Sequence, residues 1–222
     1  MKKLFIPFLL LFVLILSACG NNEKANENND SKTKSETITY QSETGPVEIP
    51  KNPKRIIALS NGPNVLALEG NIVGIDQWTN MNPLFQDRLK GVEVVSEDDL
   101  EKIIELEPDL IIAGSEMKNI GKLNEIAPTV VFTWGKLDYL SQQIEIGKLL
   151  NKEKEAKEWV NDFETRAETA GKAIRAKIGE DATVSVIEND AKEFYVFGNN
   201  YARGTEILYQ AMELKMPEKV KE

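Results

Sequence analysis

Between Lys152 and Ile178, the apolar residues Ala156, Trp159, Val160, Phe163, Ala167, Ala170, Ile174 and Ile178 recur at helical spacing and form one stripe. The pattern predicts a single helix, roughly 40 Å long at 1.5 Å per residue. A helix of that length exceeds what one sheet crossover needs and suits a rigid connector between two bodies. Trp159 lies on the stripe and is read as a core residue.

The sequence on either side of this helix fits that role. Before it, short apolar runs alternate with helix-period segments. "KRIIALS", "NIVGID", "DLIIAG" and "TVVFT" read as strands, separated by "GPNVLALEG", "SEDDLEKIIELEP" and "MKNIGKLNEIAP". Ser96 or Asp98 is the expected cap of the second of these helices, which ends before Pro108. Strands alternating with helices predict right-handed βαβ units and a mainly parallel sheet. "KLDYLSQQIEIGKLL" is an amphipathic helix leading into the long one. After it, "ATVSVIE", the turn "NDAKE" and "FYVFG" form a hairpin that opens a second α/β unit. The predicted class is therefore α/β, with two Rossmann-like lobes joined by one long helix.

The N-terminal end has a different character. Lys2 and Lys3 precede the apolar run Leu4 to Leu16, which is shorter than the roughly 20 residues a spanning helix needs. This reads as a secretory signal. "LSACG" follows, with Cys19 the only cysteine of 222 residues, in the lipobox pattern of bacterial lipoproteins. Cys19 is the expected lipidated N-terminus, so no internal disulfide is available. Residues 20–37 are almost entirely Asn, Lys, Glu, Ser and Asp and carry too little apolar surface to fold. The expected boundaries are 1–18 signal peptide, 19–38 tether, 39–136 first lobe, 137–179 connecting helices and 180–222 second lobe.

Several functions are disfavoured by what is missing. The formal net charge is −9, and losing Lys2 and Lys3 with the signal leaves −11, which argues against nucleic acid as a partner. There is no histidine, which weakens imidazole-based zinc or manganese capture and Ser-His hydrolysis. The loop after the first strand lacks G-x-G-x-x-G, and no P-loop is present. An enzyme is not expected.

"NPKRIIAL", "LEKIIELEPDLIIAG", "KLNEIAPTVVF", "IGEDATVSVIE" and "FGNNYARGTEILYQA" occur in an order and spacing that resemble the siderophore-binding lipoproteins of Gram-positive ABC importers, most closely the ferric-hydroxamate type. The resemblance implies two lobes with ligand held in a shallow cleft between them. It implies a monomer on the outer face of the cytoplasmic membrane, with ABC permease subunits as partners. It also implies no cofactor, because the iron arrives already chelated. Relatives continue well beyond "MPEKVKE", so it implies an incomplete second lobe and weak binding by this chain alone.

By the same resemblance, the turn Tyr201-Ala202-Arg203-Gly204 reaches into the cleft. Arg203 supplies a forked donor and Tyr201 stands where many relatives have tryptophan. Tyr195 and Trp134 face the ligand. Trp78 and Asn61 are candidates because ligands sit beyond the carboxyl ends of parallel strands. Glu101, in the first turn of its helix, matches the position that docks to the permease. Helix-dipole stabilisation is its plainer explanation. Catecholate siderophores, ferric citrate, haem and cobalamin remain alternative ligands, and a structural surface lipoprotein the alternative class. A trianionic catecholate complex calls for a basic cluster, for which only Arg203 and, more distantly, Lys136 are available.

Overall fold

A computed structural model of the chain describes residues 36–220. The signal sequence, Cys19 and the tether as far as residue 35 lie outside the described residues. The first element is a hairpin that the sequence pattern does not announce: β1 (Thr37–Ser42) pairs antiparallel with β2 (Gly45–Pro50). Its alternation is period-2, with Ile38, Tyr40, Val47 and Ile49 turned to the core and polar residues turned out. The polar stretch "TITYQS" hides this alternation. The expected tether boundary at residue 38 falls inside β1.

Five parallel strands follow: β3 (Ile56–Ala58), β4 (Ile72–Ile75), β5 (Glu93–Val94), β6 (Leu110–Gly114) and β7 (Thr129–Phe132), in the spatial order β5-β4-β3-β6-β7. The crossovers carry α1 (Gly62–Ala67), α2 (Gln77–Met81), α3 (Leu100–Glu105) and α4 (Ile120–Ile126). Both faces of the sheet are covered. Ile56, Ala58, Leu110, Ile112, Val130 and Phe132 pack with α1, the N-terminal hairpin and the helix after β7. Ile57, Leu59, Ile111 and Ala113 pack on the other side with Ile103 of α3 and Leu123 of α4. Strands buried on both faces lose polar alternation, which is why these runs are uniformly apolar. The cap of α3 differs from expectation. Asp99 is the N-cap residue, and its carboxylate accepts from the Ser96 N–H and Oγ, each at 2.7 Å, rather than from the helix.

α5 (Tyr139–Leu149) is capped by Asp138, which accepts from the Leu140 and Ser141 N–H groups. α6 (Glu153–Ile178) matches the predicted long helix, 26 residues or about 39 Å. Ala156, Val160, Ala167 and Gly171 are its buried positions. Trp159 is half-buried instead of core, because its ring stacks along Phe163 at 5.6 Å, and Phe163 meets the edge of Tyr139 at 5.9 Å.

β8 (Val186–Asn189) and β9 (Phe194–Phe197) form a separate antiparallel pair, turned by Asp190, which accepts from the Lys192 and Glu193 N–H groups. The expected helix after the Arg203 turn is a π-helical segment, Glu206–Ala211. Its wide turn continues into chain that α6 grips. Arg175 Nη1 donates to the Met212 and Glu213 carbonyls at 2.5 and 3.2 Å, and the Gly171 backbone lies directly against Met212.

Candidate functional site

The turn after β9 has an unusual backbone. Ala202, Arg203 and Gly204 are all left-handed, with φ of 57°, 56° and 79°. For alanine and arginine this conformation is costly and persists only where surroundings enforce it. Here the enforcement is visible. The Tyr201 N–H donates to Oγ1 of the fully buried Thr205 at 3.0 Å, and the Ala202 N–H donates to Glu206 Oε1 at 3.1 Å. The arginine is thereby folded back over the hairpin.

Arg203 is not an isolated donor. Its Nε donates to Glu188 Oε2 at 2.7 Å, and its guanidinium lies 5.0 Å above the Phe197 ring. Glu188 pairs across the hairpin with Tyr195, and Val186 pairs with Phe197, so Glu188, Tyr195 and Phe197 share one face. Tyr195 stacks on Phe197 at 6.1 Å. The hydrogen bond with Arg203 holds the Glu188 carboxyl below its usual range and raises the guanidinium further above its own. Tyr201 is 61% exposed, with its ring beside Gly198. The structure thus brings Arg203 and Tyr195 together and adds Glu188 and Phe197, which the sequence reading did not single out. Counting by twos across a hairpin would have placed Glu188 opposite Tyr195.

The remaining candidates sit at the carboxyl ends of the parallel strands. Asn61 follows the central strand β3, from which the chain builds outward through β4 to β5 and then returns to place β6 on the other side of β3. This is the topological switch point. Its left-handed backbone, φ 55°, starts α1, and its Nδ2 donates to Ser60 Oγ at 3.1 Å. Trp78 lies in α2, after β4, and is 84% exposed. Trp134 follows β7 and is 82% exposed. Its loop is pinned by Glu43 from the turn of the N-terminal hairpin. Glu43 Oε2 accepts from the Thr133 N–H and pairs with Lys136 Nζ, both at 3.2 Å. Partial burial pushes the Glu43 carboxyl up, but the hydrogen bonds from Thr133 and Lys136, with the charge of Lys136, outweigh it and leave the group below its usual range.

Glu101 is exposed in the first turn of α3. Two open recesses, of about 470 and 420 Å³, lie along the outer side of α6 and between β2 and the end of α4. Neither contains a candidate residue, so the aromatic and cationic groups, not these hollows, mark the site. Among the described residues no cluster of three or more acidic side chains is placed to hold a metal ion.

Comparison with known proteins fits this geometry to a family. Residues 60–215 match the family model described as periplasmic binding protein. The iron(3+)-hydroxamate-binding protein YxeB of Bacillus subtilis is 37% identical over all of this chain, which spans 71% of YxeB. Unliganded FhuD2 of Staphylococcus aureus is 40% identical with a TM-score of 0.74, covering 84% of this chain and 69% of that one. FhuD2 with bound ferrioxamine B is 38% identical with a TM-score of 0.71, covering 76% and 67%.

Proposed function

The chain belongs to the periplasmic binding protein family, and on that premise we propose that it captures ferric hydroxamate siderophores outside the cell and delivers them to an ABC importer. The observation that carries this reading is a guanidinium held over an aromatic hairpin face, in a chain whose whole length aligns with 71% of an iron(3+)-hydroxamate-binding protein. A ferric trihydroxamate is a compact, six-coordinate complex. It asks its receptor for apolar walls and a few donors to the hydroxamate oxygens, and for no ligand to iron.

In this reading Arg203 donates to those oxygens from the part of its fork that Glu188 leaves open. Tyr195 and Tyr201 pack on the ligand's apolar side. Trp134 and Trp78 supply a wall from the first lobe, with Asn61 between them at the switch point. The first lobe runs from β1 to residue 136, residues 137–179 are the connector, and the second lobe starts at residue 180. The protein acts as a monomeric binder with no catalytic step. Cys19 carries the lipid that holds it on the outer face of the cytoplasmic membrane, after removal of residues 1–18.

Titration with a panel of ferric siderophores, followed by tryptophan quenching, tests the ligand class, since Trp78 and Trp134 are both exposed. Saturable quenching by ferric trihydroxamates at lower concentration than by catecholates, citrate, haem or cobalamin is expected. The opposite ranking would sink the hydroxamate assignment.

Delivery is assigned to Glu101. Glu101→Ala is expected to leave ligand binding intact while lowering siderophore-dependent iron uptake several-fold in cells. Equal loss of binding and uptake would return Glu101 to a helix-stabilising role.

A further inference from the structure

Both cations that the sequence offers to a ligand are already matched by carboxylates. Arg203 is paired with Glu188 at 2.7 Å, and Lys136 with Glu43 at 3.2 Å. The two pairs come from different parts of the fold, one from the β8–β9 hairpin and one from the contact between the N-terminal hairpin and the loop after β7. Each takes an isolated positive charge and makes it locally neutral without removing its remaining N–H donors. We propose that Glu188, assisted by Glu43, is a specificity-determining residue that admits neutral ferric complexes and turns away anionic ones. The inference rests on the function proposed above and names the ligand charge that the site accepts.

The chemistry separates the two ligand classes cleanly. Three hydroxamates, each singly charged, neutralise ferric iron. Three catecholates, each doubly charged, leave a trianionic complex. A neutral complex gains the arginine's hydrogen bonds and loses nothing to the neighbouring carboxylate. A trianion gains the same bonds but is repelled by Glu188, and finds no unopposed cation at either position. At a separation of about 8 Å in a water-like dielectric, three charges against one change affinity by roughly tenfold before screening. Physiological salt reduces this to about threefold. The Glu188 side chain is 45% exposed, so the water-like limit applies. Specificity built this way is repulsive, directed against a competitor.

The test uses ferrichrome as the neutral trihydroxamate and ferric enterobactin as the tris-catecholate, with affinities from tryptophan quenching at low and physiological salt. Glu188→Gln keeps the size and hydrogen-bonding capacity of the side chain and removes its charge. It is expected to raise the ratio of enterobactin to ferrichrome affinity about three- to tenfold, with the larger change at low salt. Glu43→Gln is expected to raise the ratio less, and the two together to raise it most. Taking the ratio cancels any general gain from releasing Arg203. Wild-type protein that binds ferrichrome, with a ratio unmoved by Glu188→Gln or moved without salt dependence, would overturn the charge filter and leave the hydroxamate function standing. Wild-type protein that binds ferric enterobactin as tightly as ferrichrome would overturn both.

Discussion

Replacing Arg203 with alanine is expected to weaken ferric-trihydroxamate binding by about tenfold, the lower end for losing a hydrogen bond from a charged donor. The lower end applies because the side chain is half exposed and already shares its charge with Glu188. Arg203→Lys is expected to recover only part of the loss. An ammonium can pair with Glu188 but cannot donate to Glu188 and a hydroxamate from one rigid plane. The fold is expected to survive both changes, since Arg203 lies on the surface and its turn is held by Thr205 and Glu206. Tryptophan quenching gives the affinities. An unchanged affinity in Arg203→Ala would remove this residue from the site and leave the aromatic wall as the whole of it.

Gly171→Ala is expected to have its largest effect far from any ligand, by releasing the C-terminal segment from α6. A methyl group at this position would run into the Met212 carbonyl. In an isolated helix the same substitution stabilises by about 1 kcal/mol, so α6 itself gains while the docking of its neighbour is lost. Arg175, whose side chain is only 14% exposed, then loses its hold on the Met212 and Glu213 carbonyls, and Leu214 loses its burial. Limited proteolysis is expected to cut within residues 205–215 at least about tenfold faster, with the parallel-sheet region cut no faster, as for a local opening. Arg175→Ala is expected to produce the same pattern through the other half of the contact. Unchanged cleavage in both variants would show that the segment is not held by α6. The turn that carries Arg203 leads directly into this segment, so ligand affinity is expected to fall with it.

The parts of the molecule that repeat locally were readable from the residues alone. Ile56–Ala58, Leu110–Gly114 and Thr129–Phe132 are continuous apolar runs because their strands are covered on both faces. The stripe on α6 follows from its 3.6-residue period, and the parallel sheet follows from helices alternating with strands. The proximity of Tyr195 and Arg203 is of the same kind, since a hairpin and the turn that follows it are close in sequence. By contrast, β1 and β2 are polar on their outer face and took their strand identity from packing against the sheet. The segment Glu206–Ala211 has ordinary helical residues, and its π-helical turn appears where Arg175 and Gly171 hold the carbonyls that follow it.

Charge pairing was the least legible feature. Glu43 reaches Lys136 across about ninety residues of sequence, as its hydrogen bond to Thr133 makes plain, and Glu188 meets Arg203 only because a hairpin and a left-handed turn fold one over the other. Composition and spacing determined that this chain would be an acidic α/β protein with few cations to offer a ligand. Only the tertiary structure decided that those cations are already neutralised, because an ion pair depends on where side chains end in space and not on how far apart they lie in the chain.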